Sequence, residues 1–72
     1  MFVTAEYTIT VNGEKKDFAP GATLADLVAQ LGLDPARLAI ELNRAIVKRD
    51  LWNTATFEPG AEIEIVQFVG GG

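Results

Sequence analysis

The side chains of this sequence offer little for catalysis, and its end offers more. There is no Cys and no His among the 72 residues. That removes the thiolate nucleophile, the commonest general base, disulfides, and thiolate or imidazole metal sites. Carboxylates alone can hold a hard cation, but the Asp and Glu residues match no calcium-loop spacing, and no metal site is expected. What remains is the run Gly70-Gly71-Gly72, ending in a carboxylate that no side chain shields. A carboxylate is a poor acyl donor until its oxygen is converted into a better leaving group. Glycine suits the stem beneath it. With no Cβ, the backbone can pass through a narrow channel and approach another group closely. Ordering such a stem costs about 1–2 kcal/mol per residue, with Gly at the high end. A folded body must therefore supply the docking.

The body that could do so is small. Seventy-two residues make one domain, expected as residues 1–69 with 70–72 as a flexible glycine tail. Apolar residues make up 49% and charged residues 22% of the chain, a globular composition rather than a disordered one. Ten acidic residues face six basic ones, a net charge of −4. Nucleic-acid binding wants Lys and Arg clustered on one face. Here only Lys15-Lys16 and Lys48-Arg49 form pairs, so no nucleic-acid partner is expected. Residues 1–6 lack a basic segment followed by a long apolar run. No stretch approaches a membrane span. The chain is expected in the cytoplasm, off the membrane, and a monomer when free.

Periodicity supplies the elements. Tyr7, Ile9 and Val11 alternate with Thr8 and Thr10, a half-buried strand over residues 6–12. Asn12-Gly13 accepts positive φ cheaply and predicts a tight hairpin, read as a turn and nothing else. The return strand, 14–18, is short and polar, as an edge strand tends to be. Thr23 reads as a helix N-cap, with Asp26 in the first turn where the helix dipole favours an acid. Leu24, Leu27, Val28 and Leu31 then form one apolar stripe, and Gly32 fits the left-handed stop. Strands follow at 38–42 and 45–47, joined by Asn43-Arg44. Residues 48–57 read as irregular, with Trp52 plugging one end of the core. Glu58-Pro59-Gly60-Ala61 is a turn, and 62–68 is the last strand, Ile63 and Ile65 facing in. A hairpin followed by one helix requires that helix to cover the sheet's single apolar face. The expected fold is α+β: a mixed sheet of about five strands gripping one helix, the last strand parallel beside the first, which is the β-grasp arrangement.

At this point the chain resembles the ThiS family, the sulfur carriers of thiamine biosynthesis, relatives of MoaD and ubiquitin. The resemblance spans the whole chain. It rests on the order of elements, on residues 39–52 with the Leu42-Asn43 turn and the Ile46-Val47-x-Arg49-x-x-Trp52 spacing, and on the ending Phe68-Val69-Gly70-Gly71-Gly72. What it implies is a carrier, not an enzyme. A ThiF-type activating enzyme would use ATP to adenylate the Gly72 carboxylate. Sulfur would displace AMP to leave a thiocarboxylate, and thiazole synthase, ThiG, would take that sulfur. Gly70 and Gly71 would thread the partners' sites, and no cofactor would be bound by the carrier itself. Family members usually end in two glycines and this chain in three, so the register of the tail could differ by one residue, or Gly70 simply replaces another small residue.

In the last strand Glu62 and Glu64 face outward, and Val66 and Phe68 share their parity. Exposed, the four would form an apolar anchor with an acidic rim beside the tail. Val66 and Phe68 could equally be covered by residues 48–57. Arg49 reads as structural, paired with a carboxylate or carbonyl, and Asn43 as a turn residue. Glu41 reads as simply solvated. Three rivals share the fold: a MoaD-type carrier for molybdopterin, a ubiquitin-like modifier conjugated to lysines, and an interaction module with no covalent role.

Overall fold

A computed structural model describes residues 6–69 of the chain. The readings that rest on residues 1–5 and on Gly70, Gly71 and Gly72 lie outside the described residues. Strand β1, Tyr7–Val11, and strand β2, Glu14–Phe18, pair antiparallel from Tyr7↔Phe18 to Val11↔Glu14. Asn12 and Gly13 between them have φ of 51° and 84°, the positive pair that a two-residue hairpin needs to match strand twist. Helix α1 spans Leu24–Leu31. The Thr23 hydroxyl accepts from the Asp26 amide at 3.2 Å while the Asp26 carboxylate accepts from the Thr23 amide at 2.9 Å. Asp26 is therefore half of a reciprocal cap as well as a charge favoured by the helix dipole. Gly32 ends the helix at φ 70°.

Strands β3, Leu38–Leu42, and β4, Ala45–Val47, form a second hairpin, turned by Asn43 and Arg44 at φ 51° and 71°. Strand β5, Glu62–Gln67, completes a sheet of order β2-β1-β5-β3-β4. It runs parallel to β1 and antiparallel to β3. The polar β2 lies at an edge, and α1 crosses the opposite face from the outward residues of β5. This is the β-grasp fold expected from the sequence.

The core follows the same periodicities. Ile9, Leu24, Leu27, Ile40 and Ile63 are fully buried, with Val11, Phe18, Val28, Leu38 and Phe57 around them. Phe18 and Phe57 meet edge to face at 6.0 Å. Trp52 is buried, and its indole Nε1 donates to the Val47 carbonyl at 2.8 Å, so its one polar atom is satisfied inside. The segment carrying Trp52 is better ordered than a plain loop. It includes a 3-10 turn at Arg49–Leu51, and its carbonyls at Ala55 and Trp52 accept from the Leu24 and Ala25 amides. Those donors have no partner within a helix's first turn. A second 3-10 turn at Pro35–Arg37, capped by Asp34, precedes β3 and escaped the sequence reading. Among the described residues no helix is long and apolar enough to cross a membrane.

One reading needs correction. Asn12 is more than a turn residue. Its Oδ1 accepts from the Ile65 amide at 2.7 Å and its Nδ2 donates to the Ile65 carbonyl at 3.2 Å. The parallel β1–β5 register covers only Thr10↔Glu62 and Val11↔Ile63 before β1 swings into its hairpin. The Asn12 side-chain amide, chemically a peptide group, carries the ladder one step further. Asn12→Ala is expected to cost about 2 kcal/mol, from two lost hydrogen bonds and an alanine held at positive φ. A lower denaturant midpoint, with amide exchange accelerated more at Ile65 than at the core residue Ile40, would register it.

Candidate docking face and root of the tail

Strand β5 sits in the middle of the sheet and delivers the chain to its end. Two asparagines hold it at points where strand pairing stops. Asn12 grips Ile65, as above. Asn43 grips Glu62 twice, its own amide donating to the Glu62 carbonyl at 2.7 Å and its Oδ1 accepting from the Glu62 amide at 2.9 Å. The Asn43 side-chain oxygen is thus used in a left-handed turn that few other residues would tolerate.

Past Gln67, one more hydrogen bond ties the chain to the body. The Phe68 amide donates to the Arg37 carbonyl at 2.7 Å. The turn that offers this carbonyl is itself braced. Arg49 Nη2 donates to the Ala36 carbonyl at 3.2 Å, and the Arg49 guanidinium lies 5.8 Å from the centre of the Trp52 ring. Arg49 thus pairs with a carbonyl, one of the two partners expected for it. A line of contacts runs from the buried indole through Arg49 and the Pro35–Arg37 turn to Phe68. The base of the tail therefore leaves a rigid part of the molecule.

The predicted docking residues are exposed together. Glu62 and Glu64 face solvent, and Val66 and Phe68 retain 53% and 57% of their surface, which decides against their being covered by residues 48–57. Val69 is exposed as well. Sheet order adds three residues that the sequence reading did not place on this face, Glu41 having been read as simply solvated. Ala39 lies opposite Val66, Glu41 opposite Glu64, and Ile46 opposite Glu41 on β4. Ile46 is the more telling, with 73% of its surface exposed. Its pairing with Glu41 was implicit in the sequence, because a two-residue turn at Asn43-Arg44 fixes that register. The pairings with β5 needed the sheet order.

The opposite side carries a shallow groove of about 310 Å³ between α1 and the Trp52 segment. Val28, Leu33 and Pro35 give it an apolar wall, with Arg49 and Asn53 as its polar groups. Among the described residues, no group of three Asp or Glu side chains converges on a point that could hold a metal. What the described surface presents is a sheet face with exposed apolar side chains and carboxylates, leading to the root of a tail. That combination suits recognition by another protein.

The fold and this arrangement define a β-grasp body whose central strand β5 carries an exposed apolar and acidic outer face. The ThiS family model matches residues 4–72, so the match runs through the terminal glycines. The chain belongs to the ThiS family. A crystal structure of a thiamine biosynthesis protein, ThiS, from Geobacter metallireducens superposes with a TM-score of 0.76 at 28% identity, over 90% of this chain and 99% of that one. Two similar sequences are segments of longer proteins named thiazole synthase. That of Magnetococcus marinus is 38% identical over 64 residues and that of Paramagnetospirillum magneticum 34% identical over 64. Each match takes in 89% of this chain, which spans about a fifth (20%) of those relatives' length.

Proposed function

We propose that this protein is a sulfur carrier for formation of the thiamine thiazole ring, with the Gly72 carboxylate as its reacting group. The observation that carries the reading is the family match extending through Gly70-Gly71-Gly72, together with a β5 anchored up to Phe68 and an exposed face beside it. A Gly72 carboxylate oxygen attacks the α-phosphorus of ATP, forming the acyl adenylate and releasing pyrophosphate. Hydrosulfide then adds to the acyl carbon and expels AMP, and loss of its proton leaves a thiocarboxylate. A ThiF-type activating enzyme supplies the nucleotide site and access to sulfur, so the carrier needs no catalytic side chain of its own. Gly70 and Gly71 keep the path to that carbon narrow.

Thiazole synthase is the proposed acceptor. Support comes from the two relatives of that name that contain a segment like this chain, since fusion into one polypeptide is one way to keep docking partners together. Val66 and Phe68 would seat against the partner, and Glu62 and Glu64 would orient the approach.

The test is intact-mass spectrometry of the carrier as isolated from cells, and after incubation with its cognate activating enzyme, ATP and a sulfide source. Replacement of one oxygen by sulfur at the C-terminus is the expected product. Isopeptide-linked ladders on other proteins would point to a modifier instead. The unchanged acid as the sole species under both conditions would refute the covalent role.

A further inference from the structure

We propose that the docking face continues past β5 onto β3 and β4. In this arrangement Ile46 is a second apolar anchor, and the Glu41–Glu64 pair receives an Arg or Lys side chain of the partner enzyme. This inference rests on the carrier reading and names the chemistry of the partner's contact surface.

Three observations converge on it. The first is register. Ile46, Glu41 and Glu64 form one row across β4, β3 and β5, and Ala39 with Val66 forms the next row on the same face. The face is thus continuous from Ile46 to Val66, two residues before Phe68. The second is exposure without a folding reason. Ile46 stands on a three-residue edge strand with 73% of its surface in water, and its cross-strand neighbour is a carboxylate. It adds almost nothing to the core. The third is electrostatic. Glu41 and Glu64 lie directly opposite each other on antiparallel strands, a placement in which like charges destabilise a sheet. The ion pairs among the described residues are Lys16–Glu14 and Arg37–Asp34, and neither relieves it. A local conflict that the folded body does not need is the kind of feature expected at a functional surface.

Size and charge select the occupant. A standard protein–protein contact covers about 800 Å² per partner, more than two side chains at the end of one strand can fill. The rows on β3 and β4 enlarge the face without leaving the tail. A guanidinium or ammonium set between Glu41 and Glu64 would neutralise the repulsion, and a guanidinium could bridge both carboxylates. Its aliphatic stem would lie along Ile46 and Val66, since such stems pack on apolar surface while the charged head meets its partner. The occupant is therefore a basic protein surface with apolar side chains around its cation.

The experiment titrates the cognate activating enzyme with wild-type carrier, Ile46→Ala, Glu41→Gln and, as a control on the distant β2, Lys15→Ala. The readout is ATP–pyrophosphate exchange against carrier concentration at two salt concentrations, alongside the melting temperature of each free carrier. Ile46→Ala should raise the half-saturating concentration about tenfold, as loss of an interface anchor does. Glu41→Gln should raise it several-fold and flatten its salt dependence, while raising the melting temperature of the free chain. Half-saturation like wild type for both variants would end the docking face at β5 and overturn the inference alone. A lower melting temperature for Glu41→Gln would show the carboxylates to be stabilising in the free chain and overturn the cation-receiving role. If wild-type carrier supports no exchange at all, the carrier reading fails and takes this inference with it.

Discussion

A chain ending at Gly71 is expected to fold like the full-length protein and to form thiocarboxylate at least about a hundredfold more slowly, below detection in a single-turnover assay. The core is built from residues between Ile9 and Ile63, so loss of the last residue should leave circular dichroism and the melting temperature unchanged. The chemistry should not survive. Removing one residue withdraws the carboxylate by about 3.3–3.6 Å. Reacting atoms must come within about 3–3.5 Å of one another, and a displacement of about 1 Å already costs about a hundredfold in rate. The Phe68 amide is held by the Arg37 carbonyl, so any added reach would have to come from the residues after it. Intact-mass spectrometry after incubation with the activating enzyme measures the outcome. Full conversion of the shortened chain would move the reacting carboxylate off Gly72 and show that the partner accepts a tail one residue shorter. The three-glycine ending makes that comparison informative.

The largest expected effect on stability is that of Trp52→Ala. Trp52 is 4% exposed, lies against Arg49, donates to the Val47 carbonyl, and its own carbonyl receives the Ala25 amide at the start of α1. Truncation removes a large buried ring and leaves a cavity, a loss of about 3–5 kcal/mol. A domain of this length has on the order of 4–11 kcal/mol in total, so the loss removes about a quarter of it or more and should lower the melting temperature by at least about 12 °C. Trp52→Phe refills most of the space but forfeits the indole hydrogen bond, and should cost about 1–2 kcal/mol. Denaturant unfolding followed by Tyr7 fluorescence or circular dichroism separates the three chains. A midpoint for Trp52→Ala close to wild type would mean that the ring contributes little to holding the Lys48–Phe57 segment on the helix. The effect should also reach the tail. Arg49 loses the ring it lies against, and Arg49 braces the turn that holds Phe68.

Most of the fold was legible in the sequence because its signals are short-range. The Asn12-Gly13 and Asn43-Arg44 pairs mark two-residue hairpins, and all four residues adopt positive φ. Thr23, the Leu24-Leu27-Val28 stripe and Gly32 mark the start, buried face and stop of α1. Each of these depends on residues at most four apart, where backbone sterics and side-chain period decide the outcome. Glu62, Glu64, Val66 and Phe68 were placed on one side of β5 by the same period of two. The strand ends at Gln67, one residue short of the expected 62–68, so the alternation places Glu62, Glu64 and Val66 on that side, and Phe68 follows just past the strand's end.

What this sequence determined by itself is the inventory of parts: two hairpins, one capped helix, a final strand with an apolar and acidic outer edge, and the run Gly70-Gly71-Gly72. Tertiary structure alone decided how those parts face each other. Seating β5 between β1 and β3 set Ala39 against Val66 and Glu41 against Glu64, and brought the Asn12 amide to Ile65. Asn12 and Ile65 are separated by 53 positions, and no local rule reaches so far. Strand order is chosen by which assembly buries Ile9, Ile40 and Ile63 under α1 while leaving no backbone group unpaired, a condition on the whole chain at once.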